Sequence, residues 1–121
     1  MTSVLIIDDN RAKSALLKIS LVRKQYQVRQ SQDIGEAVFP ISGELPDLVL
    51  INQAIQNHMG WELFNNLKQL SPDQPAMVYA MERDCIDDTG WICRAVEAVC
   101  EEAQTRHHCL IIRKFYYFPM R

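Results

Sequence analysis

The sequence predicts an α/β domain in which a parallel sheet carries helices on both faces. Three observations point there. Short apolar runs recur at residues 4–7, 47–52 and 76–81, and they are continuous rather than alternating, as in strands buried on both sides. Between them lie segments with apolar residues at helical spacing. The order is strand then helix throughout, with no internal repeat and no linker, which is the pattern of a doubly wound sheet.

Each element has its own signal. "SVLIIDD" is a short β-rich run that meets acid at Asp8 and Asp9, and Asp9 or Asn10 can cap the next helix. "RAKSALLKISLVRKQY" is that helix, and its expected buried stripe is Ala12, Ala15, Leu16, Ile19 and Val22. "QVRQS" is a weaker strand. Asp33 then starts a short helix, "IGEAVFPIS", limited by Pro40, and "GELP" is a turn. "DLVLIN" is a strongly buried strand ending on a polar residue, Asn52. The loop "QAIQNHM" leads to Gly60 and the helix "WELFNNLKQL", which "SPDQP" ends. "AMVYAM" is a further apolar strand and "ERDCIDDTG" a polar loop. A helix comes next, with Trp91, Ile92, Ala95, Val96, Val99 and Ala103 on one stripe. "CLIIRKFYYF" reads as the last strand, and the sequence stops at Arg121. In such sheets the functional crevice lies beyond the carboxyl ends of the strands. Those ends are expected at Asp8-Asp9, Asn52, Ala80-Met81 and Arg113-Lys114.

The 121 residues are expected to form one domain, 1–121, with 48% hydrophobic and 23% charged residues, a composition ordinary for a soluble globular fold. Thirteen Lys+Arg against fifteen Asp+Glu leave a net charge of −2, which gives no global attraction to nucleic acid or an anionic membrane. No apolar run approaches the about 20 residues of a membrane span. "MTSVLIIDDN" lacks a basic start, so it is not a signal peptide, and a cytoplasmic location is expected. Cys85, Cys93, Cys100 and Cys109, with His107 and His108, raise the alternative of a metal site. No close C-x-x-C pair supports it, and Cys93 and Cys100 on one helix stand about 10 Å apart along the axis, too far for one ion. Free thiols are the expectation.

The quoted motifs together resemble the receiver domain of bacterial two-component response regulators. "VLIIDDN" is similar to that family's first strand with its two metal-binding acids, "LPDLVLINQAIQNHMGWELFNNLK" to its third strand, loop and third helix, and "QPAMVYAME" to its fourth strand. The resemblance covers residues 3–82 and fades over 83–121. It implies a flavodoxin-like, doubly wound, parallel five-stranded sheet, here expected to lack the last helix. In the family an Asp at the tip of the third strand takes a phosphoryl group from a histidine kinase, and two acids hold Mg²⁺. A Thr or Ser after the fourth strand and a Lys after the fifth bind the phosphoryl oxygens, and an aromatic residue three before the Lys reports the event. Carried over residue by residue, Asp8 and Asp9 match the acids, Asn52 falls on the phosphoacceptor and Ala80 on the hydroxyl residue. The Lys position falls on Arg113 or Lys114, and the aromatic on Leu110 or Ile111. The usual Pro of the loop after the phosphoacceptor is Gln56, and the Pro after the Lys is absent.

A carboxylate attacks phosphorus to give an acyl phosphate, and a neutral amide gives no comparable product. Several switch parts are missing together, so a degenerate pseudo-receiver is expected, not an enzyme, acting through a protein partner, with no nucleic acid or membrane partner. Asp8 and Asp9 retain at most weak Mg²⁺ binding, or one of them serves as a helix cap, or Arg113 or Lys114 neutralises them. Trp61 and Trp91 are expected in packing and His58 on a surface loop. The alternatives are a working phosphoacceptor using Asp47, Glu82 or Asp84, and a Cys/His metal-binding module. Asp47 is a poor acceptor because it sits at the opposite end of its strand, roughly 16 Å from the tip. The short tail after the last strand is expected to leave part of a sheet face open, and Phe115, Tyr116, Tyr117 and Phe118 to form a homodimer surface.

Overall fold

A computed structural model describes residues 2–39, 43–81, 90–105 and 115–118. The continuous apolar runs become β1 (Ser3–Ile7), β3 (Leu48–Asn52) and β4 (Ala76–Met81), and the weaker "QVRQS" becomes β2 (Gln27–Ser31). All pair in parallel in the order β2-β1-β3-β4, with β5 (Phe115–Phe118) added at the outer edge of β4. The helices are α1 (Arg11–Arg23), α2 (Gly35–Val38), α4 (Gly60–Leu70) and α5 (Gly90–Thr105), and the short turn α3 (Ile55–His58) departs from helical backbone at Gln56 and Asn57. The parallel α/β architecture expected from strand–helix alternation is therefore found. No helix of the described residues is long and apolar enough to cross a membrane.

Alternation along each strand divides the interior in two. Val4, Ile6, Leu48, Leu50 and Met77 face Leu17 and Leu21 of α1 and Ile92, Val96 and Val99 of α5. Leu5, Ile7, Val49, Ile51 and Val78 face Ala37, Ile55, Phe64 and Leu67. Each fully buried aliphatic side chain contributes roughly 1.5–3 kcal/mol, so these two layers carry the stability of the sheet. Three local devices set the helix starts. Asn10, not Asp8 or Asp9, caps α1, its side chain accepting the Lys13 N–H at 3.1 Å. Asp33 accepts the Gly35 N–H at 2.8 Å ahead of α2. Gly60 opens α4 where a Cβ would lie 2.5 Å from Gln53 Cα, so only glycine lets the helix start this close to the end of β3.

Three expectations are corrected here. The buried face of α1 is Ser14, Leu17 and Leu21, while Ala12, Ala15, Ile19 and Val22 face solvent and Leu16 is half-buried. Apolar residues ring this helix, so spacing alone cannot choose a face. On the α1 face the part formed by β1, β3 and β4 is covered by α5, whose stripe of Ile92, Cys93, Val96, Val99 and Cys100 lands beside α1, while the side chains of β5 lie outside the described residues. Finally, the carboxyl end of β5 is Phe118, opposite Met81, rather than Arg113-Lys114, which precede the strand. The absence of a helix after β5 falls on residues 119–121, outside the described residues.

From β1 to β2 the chain steps one way across the sheet with α1 on one face. From β2 to β3 and from β3 to β4 it steps the other way with helices on the opposite face, which is the same hand. From β4 to β5 it steps that second way, and α5 packs on the α1 face.

Candidate functional site

Parallel pairing brings the carboxyl ends of β1, β3 and β4 side by side, and three polar side chains meet there inside the protein. Asp8 is 3% and Asn52 5% exposed, and Tyr79 is 1% exposed. Asn52 Nδ2 donates to Asp8 Oδ2 at 3.0 Å. The Tyr79 hydroxyl donates to the same oxygen at 2.9 Å. Asp8 Oδ1 accepts the Asn10 N–H at 2.9 Å, and Asn52 Oδ1 accepts the Ala54 N–H at 2.9 Å. A buried carboxylate needs such donors, because leaving it unpaired costs far more than the bonds return. Burial first, and then the Asp8 charge and hydrogen bond, hold the Tyr79 phenol well above its ordinary pKa, so it remains a donor.

Asp9 is exposed and turned the other way, with its Oδ2 accepting the Gln56 N–H at 3.0 Å. Gln56, Asn57 and His58 all have positive φ, at 50°, 60° and 69°. Three consecutive non-glycine residues in the left-handed region are strained, and Asp9 anchors the first of them. A Pro at position 56 would offer no N–H and would demand φ near −65°. The departure from the family pattern at Gln56 is therefore used by the loop. His58 is exposed on this loop, as expected. Trp61 packs edge-on against Phe64 with ring centroids 5.6 Å apart.

The other expected site residues are placed as follows. Ala80 is buried at the tip of β4 and pairs with Tyr117. Asp47 sits at the opposite end of β3, where it accepts the Ser3 N–H at 2.8 Å. Glu82, Asp84, Leu110, Ile111, Arg113, Lys114, Cys85, Cys109, His107 and His108 lie outside the described residues, as do the side chains of Trp91 and of Phe115, Tyr116, Tyr117 and Phe118. Cys93 and Cys100 are buried free thiols, and among the described residues no group of three or more His, Cys, Asp or Glu is placed to hold a metal.

Tyr79 was not among the residues that sequence reasoning singled out. Its signal was present: "AMVYAM" contains one side-chain polar atom, and a tyrosine hydroxyl in a buried strand must find a partner. The donor set also decides how well the site suits Mg²⁺. That ion takes oxygen ligands in near-ideal octahedral geometry. Here Asp8 faces an amide N–H, a phenol O–H and a backbone N–H, which is the wrong polarity for a cation. The residues do not fit a bound Mg²⁺.

The family described as Response regulator receiver domain matches residues 4–99. Response regulator MprA of Mycolicibacterium vanbaalenii is 31% identical over 85 residues, covering 70% of this chain and 36% of that protein. The chain thus spans about a third of the length of the curated relatives it matches. A receiver domain protein (CheY-like) from Methanospirillum hungatei superposes with a TM-score of 0.69 at 17% identity, over 87% of this chain and 98% of that one. The response regulator TrrA of Thermotoga maritima, solved in complex with Mg(2+)-BeF, gives 0.62 at 17% identity over 99% and 88%. Both likenesses concern the fold.

Proposed function

This chain belongs to the response regulator receiver domain family of two-component signalling, and we propose that it is a pseudo-receiver that takes no phosphoryl group and signals by protein–protein contact. The observation that carries this reading is the state of Asn52. It stands on the phosphoacceptor position, it is an amide, and its nitrogen is hydrogen-bonded to Asp8. An amide in that bond offers phosphorus no carboxylate oxygen. Ala80 supplies no hydroxyl to read a phosphoryl group. The family's Lys position, carried over to Arg113 or Lys114, and its aromatic, carried over to Leu110 or Ile111, lie outside the described residues. The protein is then not an enzyme, works in the cytoplasm, and answers to a protein partner. Asp47 does not substitute as acceptor, because it serves the other end of the sheet.

The test is treatment with acetyl phosphate and Mg²⁺ followed by intact mass measurement. No added phosphoryl group is expected. A phosphoryl adduct mapped to any side chain of the strand-tip crevice would overturn the reading. Self-association belongs to the same proposal. β5 lies at the sheet edge, and an edge strand presents unpaired backbone groups to another chain.

A further inference from the structure

We propose that Tyr79 and Asn52 are built-in occupants of the cation seat on Asp8, so that the receiver pocket of this chain is closed by its own donors. Asp8 Oδ2 receives both the Tyr79 hydroxyl, at 2.9 Å, and the Asn52 amide, at 3.0 Å. Its other oxygen receives the Asn10 N–H. Two bonds fill Oδ2, so a divalent cation taking that oxygen must displace the phenol or the amide. The displaced phenol then has no water to turn to, because Tyr79 is 1% exposed and packed among Leu48, Leu50 and Met77. An orphaned buried hydroxyl is penalised beyond the bond it lost. A groove lined by Asp8, Arg11, Ser14 and Gln30 lies on the α1 side of this cluster. Arg11 in that lining adds a positive charge to the approach of a cation. Asp9 is engaged elsewhere by Gln56 and gives the ion little help. Tyr79 is thus a specificity-determining residue. It ties the tip of β4 to the tip of β1 by the bond that a cation would otherwise contest.

This inference rests on the pseudo-receiver reading, and the two fail by different measurements. Mn²⁺ is the probe, followed by its paramagnetic resonance signal, with Mg²⁺ as competitor. Four proteins are compared: the unaltered chain, Tyr79→Phe, Asn52→Asp and the double variant. The unaltered chain is expected to leave millimolar Mn²⁺ free. Tyr79→Phe removes only the hydroxyl and should tighten binding about tenfold, the scale of one unsatisfied polar group. Asn52→Asp adds a charge but keeps the phenol, so it should bind more weakly than the double variant by a similar factor. Near-ultraviolet circular dichroism establishes that each variant keeps its packing. Equal Mn²⁺ affinity with and without the Tyr79 hydroxyl, both in the unaltered chain and in the Asn52→Asp background, would overturn the proposal. So would tight binding by the unaltered chain. Phosphoryl labelling of the unaltered chain would instead overturn the pseudo-receiver reading, whatever the Mn²⁺ result.

Discussion

At the scale of single residues, one carboxylate organises the site. Asp8 accepts three hydrogen bonds from groups on β4, β3 and the start of α1. Removing one donor while the acceptor stays buried costs roughly 1–3 kcal/mol. Asn52→Ala should therefore lower unfolding stability by about that amount in urea titration, although no catalytic group is lost. A second residue-scale prediction concerns alkaline pH. Burial, and after it the Asp47 charge, push the Cys100 thiol from 9.0 up to about 11. Burial likewise raises Cys93. In the unfolded chain these thiols release their protons first. The unfolded state then binds fewer protons than the folded one, and stability falls as pH rises from 9.0 towards about 11. The urea midpoint should drop across that window, and the drop should be smaller in Cys100→Ala. Identical pH profiles for the two proteins would show that this thiol is not the source.

At the scale of elements, α1 and α4 give the sharpest contrasts. Leu17 is fully buried, whereas Ile19, two residues on, is half exposed. Leu17→Ala should cost about 2–5 kcal/mol through lost burial and a cavity. Ile19→Ala should stay within about 0.5 kcal/mol, as at most surface positions. Equal losses at the two sites would mean that α1 is rotated from the orientation described. The start of α4 is just as specific. A methyl group at position 60 meets Gln53 Cα at 2.5 Å and the Asn52 carbonyl oxygen at 2.6 Å, both backbone atoms that cannot swing away. Gly60→Ala should therefore push α4 off the end of β3 and disturb the Asn52 hydrogen bonds. Amide chemical shifts at Asn52, Gln53 and Ala54 should move well beyond those of the neighbouring turn.

At the scale of the whole molecule, the proposed self-association concerns β5 at the edge of the sheet. Over β1, β3 and β4 both sheet faces carry helices. Ala80 and Tyr117 are register partners across β4 and β5, and adjacent strands are close enough for a disulfide. Chains carrying Ala80→Cys alone and chains carrying Tyr117→Cys alone, mixed and oxidised, should form a bridge between positions 80 and 117 of different chains, located by peptide mass spectrometry. Light scattering coupled to size exclusion at micromolar concentration should give a dimer. Phe115→Glu or Phe118→Glu should split it without unfolding. A stable monomer that binds no hydrophobic dye would sink the dimer.

Much of this was legible in the amino-acid order alone. Continuous apolar strands, helical spacing between them and the positions of Asp8, Asp9, Asn52 and Ala80 are one-dimensional properties, and each follows from local chemistry. The loss of a nucleophile at Asn52 needs no coordinates, because it is a property of an amide. Which side of α1 is buried was not legible, since Leu16, Leu17, Ile19, Leu21 and Val22 surround the helix and only the sheet beneath it selects Leu17 and Leu21. The face covered by α5 was not legible either, because an apolar stripe fits any apolar surface. The partners of Asp8 depended on strand register. Tyr79 is 71 residues away in the chain, and only the pairing of β1 with β3 and of β3 with β4 carries its hydroxyl to that carboxylate. Hydrogen bonds are short and directional, so a site built from them exists only once the sheet has aligned its strands.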